Sequence, residues 1–129
     1  MCLATDTVFN LVLAGDRQPW GFRTEAQDEV DDHSVWTTSV PDLLERHALQ
    51  AFDFVKIDIE FAEYQVFGQT ADLEWLKENQ LLAMEIHGQE SDRSRLVDNI
   101  TSRGPVGFTH GEYTFFTTPT LASTLGIDG

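Results

Sequence analysis

The sequence predicts an α/β fold in which a mainly parallel sheet is joined by helical crossovers and closed by an antiparallel hairpin at its C-terminal end. Three observations carry that expectation. Two strand-like segments, Phe52 to Ile59 (FDFVKIDI) and Leu81 to His87 (LLAMEIH), place apolar groups on both faces, as strands covered on both sides do. Apolar residues at helical spacing lie between these segments and again after the second. Two β-favouring runs, Val106 to Thr109 and Tyr113 to Thr118, flank His110-Gly111-Glu112 near the end of the chain.

Taken in order, the first element is a strand over Thr7 to Leu13, built on Val8, Phe9, Leu11, Val12 and Leu13 and closed by Gly15-Asp16. Glu25 to Asp32 (EAQDEVDD) bunches acids with no base among them and reads as a solvated loop. A short strand follows at Ser34 to Thr38. Ser39-Val40-Pro41-Asp42 then signals a helix start, since proline is preorganised for the first turn and an acid there suits the dipole. Leu43, Leu44, His47 and Ala48 continue it at helical spacing. After the first doubly apolar strand, Glu60 to Gly68 carries Ala62, Glu63, Val66 and Phe67 at helical spacing and stops on a glycine. Leu73, Trp75 and Leu76 form another short helical piece before the second strand. Ser91 to Arg103 is helical, with Leu96, Val97 and Ile100 on one stripe and Gly104-Pro105 as the stop. The hairpin ends the series.

Composition narrows the function. The chain has 129 residues, a length that suits one domain, and no linker or repeat divides it. Eight basic residues against 22 acidic ones give a formal net charge of −14, so phosphate-backbone binding has no electrostatic support and no nucleic-acid partner is expected. A single cysteine, Cys2, excludes an internal disulfide and a cysteine zinc site. There is no basic leader and no run near the ~18 apolar residues that a membrane span needs, so the expected setting is cytoplasmic, away from membranes. None of the nine glycines sits in a G-x-G pair that follows a strand and opens a helix.

Ligands of open parallel sheets bind beyond the carboxyl ends of the strands. There the first doubly apolar strand carries Asp58 and Glu60, with Glu63 a turn beyond, and the second carries Glu85 and His87. Strand alternation puts Asp58 and Glu60 on one face and Glu85 and His87 on one face, so neighbouring strands would gather these groups in one crevice. Charge at such positions is ordinarily paired or used. Structural roles stand beside the chemical ones: Lys56 as an ion-pair partner of Asp58 or Glu85, Glu63 as a first-turn helix acid, His87 as a hydrogen-bonded structural residue. His33, His47 and His110 carry no partner pattern and receive no role.

The stretch Asp53 to Glu63 (DFVKIDIEFAE), with Ser39 to Leu44 before it and Glu85-Ile86-His87 after it, resembles the FkbM-type methyltransferase family. The likeness runs from about Trp20, where Trp20-Gly21-Phe22-Arg23 is similar to a weaker family stretch, to the hairpin at Tyr113 to Thr118. It implies a Rossmann-like class I methyltransferase sheet and S-adenosylmethionine as cofactor. The implied reaction is O-methylation of a small-molecule or glycan hydroxyl. The chain departs from the family pattern twice. It lacks the Gly-rich cofactor loop and the ribose-binding acid of the family's first strands, so the resemblance implies a partial, truncated domain over residues 1–129. It also has Phe61 where the family has glycine, and that side chain narrows the crevice mouth.

Under this resemblance His87 is the general base, with Glu60 second and Glu85 assisting. Asp58 faces the cofactor, while Glu63 and Lys56 face the acceptor. The favoured reading is metal-free, the alternative being a divalent cation on Asp58, Glu60 and Glu85. The competing class is non-catalytic: a remnant, inactive alone, whose exposed sheet edge self-associates or binds a complementing chain.

Overall fold

The computed structural model describes residues 8–13, 22–27, 34–36, 39–69 and 71–127. The architecture is α/β, with two sheets. The first orders its strands β2-β1-β3, from β1 (Val8–Leu13), β2 (Phe22–Gln27) and β3 (Ser34–Trp36), all antiparallel. The second orders its strands β4-β5-β7-β6, from β4 (Phe54–Ile57), β5 (Leu81–Glu85), β6 (Val106–His110) and β7 (Tyr113–Thr117).

The expectation of a mainly parallel sheet is corrected by this pairing. Only β4 and β5 run parallel, Val55 facing Leu82 and Ile57 facing Met84. The hairpin inserts its return strand beside β5, so both remaining pairs of this sheet, β5–β7 and β6–β7, are antiparallel. Gly111 and Glu112 alone make the turn, and Gly111 takes the left-handed φ of 62° that glycine tolerates without steric cost.

β5 is covered on both faces, as its sequence requires: Leu82, Ala83 and Met84 are all buried. β4 is not. Phe54 remains 55% exposed and Lys56 is exposed, β4 lying at the sheet edge. β4 also ends earlier than its apolar pattern suggests, at Ile57, and β5 ends at Glu85. Asp58, Glu60 and His87 therefore sit on loops beyond the strands, and strand alternation does not orient them.

Among the described residues, four helices pack with this sheet or flank it. In α1 (Val40–Arg46), Ser39 Oγ accepts the Asp42 N–H at 3.1 Å and Pro41 occupies the first turn, so the start signal is used as read. α2 (Glu63–Val66) is a single turn, shorter than expected, and a 3₁₀ turn at Glu74–Lys77 buries Trp75 and Leu76. α3 (Glu90–Thr101) buries Leu96 and Ile100. Phe67, Leu82, Met84, Ile100 and Phe116 are nearly inaccessible and form the centre of the core.

Two elements were not anticipated. β2 takes Glu25 to Gln27 out of the expected acidic loop, the rest of which lies outside the described residues. α4 (Pro119–Leu125) is capped by Thr118, whose Oγ1 accepts the Leu121 N–H at 3.2 Å, and ends on Gly126 at φ 72°. Among the described residues no helix is long and apolar enough to cross a membrane.

Candidate active site at the ends of β4 and β5

The parallel pairing of β4 and β5 brings their carboxyl ends side by side, and His87 stands where the two loops meet. Four contacts fix it. Glu63 Oε1 accepts the His87 backbone N–H at 2.7 Å and lies 3.0 Å from its ring Nδ1. The Tyr64 hydroxyl donates to the His87 carbonyl. Phe61 sets its ring against the imidazole with centroids 5.3 Å apart. A carboxylate at Nδ1 holds the proton there, which leaves the lone pair on Nε2.

Nε2 turns towards acids. Glu60 Oε2 is 3.5 Å away and Glu85 Oε1 3.8 Å away. Asp58, Glu60 and His87 each contribute one donor atom to a group spanning no more than 4.8 Å. Four of the residues singled out in the sequence, Asp58, Glu60, Glu85 and His87, thus do converge.

The convergence comes from the backbone after β4 rather than from strand alternation. Glu60 and Phe61 take left-handed φ values of 47° and 74°, unusual for residues with a side chain. This double left-handed step turns the chain back so that Glu60 and Phe61 both reach His87. It also explains why Phe61 is accommodated at a position that suits glycine: its side chain, 43% exposed, leans on the imidazole.

Glu63 and Lys56 sit differently from these four residues and from each other. Glu63 is wholly buried, its Oε1 against His87 and its Oε2 without a hydrogen-bond partner among the described residues. Lys56 is exposed and stands over the Tyr113 ring, 5.4 Å from its centroid. Tyr113 is the main cause holding the Lys56 ammonium above the usual lysine pKa, with smaller pulls from Asp58 and Glu85. No ion pair among the described residues joins Lys56 to either acid.

Tyr64 and Gly88 escaped the sequence reading. Gly88 has φ 102°, and a Cβ built there would lie 2.9 Å from the Tyr64 hydroxyl. Only glycine leaves room for the tyrosine to clamp the His87 carbonyl. A glycine directly between a strand-end histidine and a helix was the available signal. Burial, reinforced by the nearby Glu63 charge, raises the Tyr64 pKa above the ordinary tyrosine value.

Beside His87 opens a groove of about 730 Å³. Phe61, Tyr64 and Gly88 line it next to the histidine, and Gln89, Asp92, Arg95 and Asn99, from the cap of α3 to its last turn, also line it.

Comparison with known families matches residues 4–114 to the methyltransferase FkbM domain, well over half of the chain and further towards the N-terminus than the motifs alone indicate. No curated protein and no solved structure gives a significant match.

Proposed function

The chain belongs to the FkbM methyltransferase family, and from that premise we propose that the His87 cluster is where an acceptor hydroxyl gives up its proton during O-methyl transfer. The observation that carries the reading is the buried Glu63 carboxylate at Nδ1, which leaves the other ring nitrogen facing Glu60 and Glu85.

The donor set at the strand ends suits one end of S-adenosylmethionine. Asp58 and Glu60 bring negative charge to a place where a sulfonium is welcome, whereas no glycine-rich loop among the described residues cradles a nucleoside. When bound, the cofactor supplies an electrophilic methyl group. Affinity of the 129-residue chain alone for the cofactor is expected to be weak, and a micromolar dissociation constant by calorimetry would contradict this account.

The chain's own residues do the rest. The groove holds the acceptor, a small molecule or sugar, with its apolar face on Phe61 and Tyr64 and its hydroxyl at Nε2. As the acceptor oxygen becomes a nucleophile its proton passes to Nε2, and Glu60 and Glu85 stabilise the resulting imidazolium. A positioned base of this kind contributes about 10²- to 10⁴-fold in rate. Glu63 acts through the imidazole and is a positioning residue. Lys56, on the outer face of β4, moderates the charge of Asp58 and Glu85.

The test is methyl transfer from millimolar methyl-labelled S-adenosylmethionine to a panel of hydroxylated small molecules and oligosaccharides, read by mass spectrometry. His87→Gln is expected to lower turnover by about 10²-fold or more. Unchanged turnover in both His87→Gln and Glu60→Gln would remove the base from this site.

A second reading has its own observation. The outer edge of β4 has no strand partner among the described residues and carries the exposed Phe54, which favours a non-catalytic role in which a second chain completes the sheet. Absence of turnover together with reversible self-association would favour it.

A further inference from the structure

We propose that Phe61 sets acceptor specificity: its ring narrows the way from the groove to His87 until only the unbranched end of a primary alcohol, CH₂OH, reaches the imidazole. The inference rests on the reading of the groove as the acceptor's place and of His87 as its base. Phe61, Tyr64 and Gly88 line the groove, and His87 itself does not. An acceptor lying there therefore meets these three residues before the histidine.

Gly88 gauges the opening. A carbon at its Cβ position lies 2.9 Å from the Tyr64 hydroxyl oxygen and 3.8 Å from Cε1 of Phe61. These two atoms are thus no farther apart than the two distances laid end to end, while nonbonded carbons need about 3.5–4.0 Å to each neighbour. One methylene fills that gap, and a second substituent on the same carbon has no place in it. The Tyr64 side of this neck is fixed, because the hydroxyl donates to the His87 carbonyl. The Phe61 side is set by the ring's rest against the imidazole, with centroids 5.3 Å apart.

The backbone singles out the same residue. Phe61 holds φ 74° directly after Glu60 at φ 47°, a costly conformation for a residue with a side chain. Its ring nevertheless stays 43% exposed. Apolar burial alone leaves that conformation unaccounted for, whereas a ring standing between groove and histidine has a use there. Discrimination by such a ring has a general scale: one methylene too many in an apolar pocket changes kcat/KM by about 10- to 200-fold.

The test uses 2-phenylethanol and 1-phenylpropan-2-ol, which differ by one methyl group on the carbon that bears the hydroxyl. Each is titrated into the full chain while the His87 imidazole signals are followed by NMR, with the exposed His47 and His110 as references. In the wild type the primary alcohol is expected to shift His87 saturably, and the branched one to bind there about tenfold more weakly or worse. Phe61→Ala and Phe61→Gly are both expected to bring the two affinities within about threefold of each other. Glycine suits φ 74°, so agreement between these variants separates the width of the neck from backbone strain. Equal affinities in the wild type, no His87 shift with either alcohol at high millimolar concentration, or discrimination that survives loss of the ring would overturn the proposal. The same pair serves as methyl acceptors, and the ratio of their kcat/KM values is expected to follow the affinities. Binding is read without turnover, so an inactive chain that still discriminates removes the base and keeps the neck, whereas turnover with equal use of both alcohols does the reverse.

Discussion

Position 88 shows how tightly the site depends on single residues. The Tyr64 hydroxyl reaches the His87 carbonyl only because residue 88 has no side chain, and because it can adopt φ 102°. Gly88→Ala therefore meets both a strained backbone and a contact at 2.9 Å, and is expected to cost about 1–3 kcal/mol in urea unfolding. In a Tyr64→Phe background the contacting oxygen is gone, so the same change is expected to cost less. Equal costs in both backgrounds would show that the backbone angle alone sets the penalty. Tyr64 has a second consequence, at alkaline pH. Its folded pKa is raised by burial, so above pH about 10 the unfolded chain releases this proton while the folded chain retains it. That contribution to stability is complete below pH about 10 and is lost as pH rises through the folded value. Urea midpoints of the wild type are expected to fall more steeply between neutral and strongly alkaline pH than those of Tyr64→Phe; parallel curves would count against the burial of that hydroxyl.

Among the elements, legibility followed packing. β5 was plain because Leu82, Ala83 and Met84 are buried on both faces, and its apolar run records that. α1 and α3 were plain because caps and a buried stripe coincide. β4 carries the same kind of apolar run, yet Phe54 is exposed, since an apolar pattern reports what a strand can bury and not what covers it. Its early end was hidden too. Glu60 and Phe61 adopt left-handed angles without the glycine that ordinarily advertises them, so FDFVKIDI reads as one strand through Ile59. α4 was missed despite Thr118-Pro119 and Gly126 because only Ala122 in it is buried, leaving no apolar stripe to detect. For the site, Asp58, Glu60, Glu85 and His87 were visible as charges at strand ends. The burial of Glu63 and the clamp by Tyr64 depend on a turn geometry that periodicity does not encode.

On the scale of the whole molecule, the edge of β4 and the charge of the chain oppose each other. A strand edge with no partner among the described residues and an exposed phenylalanine invites another chain. A net charge of −14 on 129 residues repels a second copy. The contest is decided by ionic strength, because the Debye length shrinks from about 30 Å at 0.01 M salt to about 3 Å at 1 M, while apolar contact and strand hydrogen bonds are short-ranged. Sedimentation velocity is therefore expected to show a chain that is mostly monomeric at low salt and associates increasingly as salt is raised. Phe54→Lys places a charge on the edge strand, as natural edges do, and removes the exposed ring. It is expected to abolish most of the salt-induced association while leaving the unfolding midpoint nearly unchanged, since Phe54 buries little within the chain. Association that weakens with salt would show charge pairing instead of the β4 edge, and association unaffected by Phe54→Lys would place the contact elsewhere on the surface.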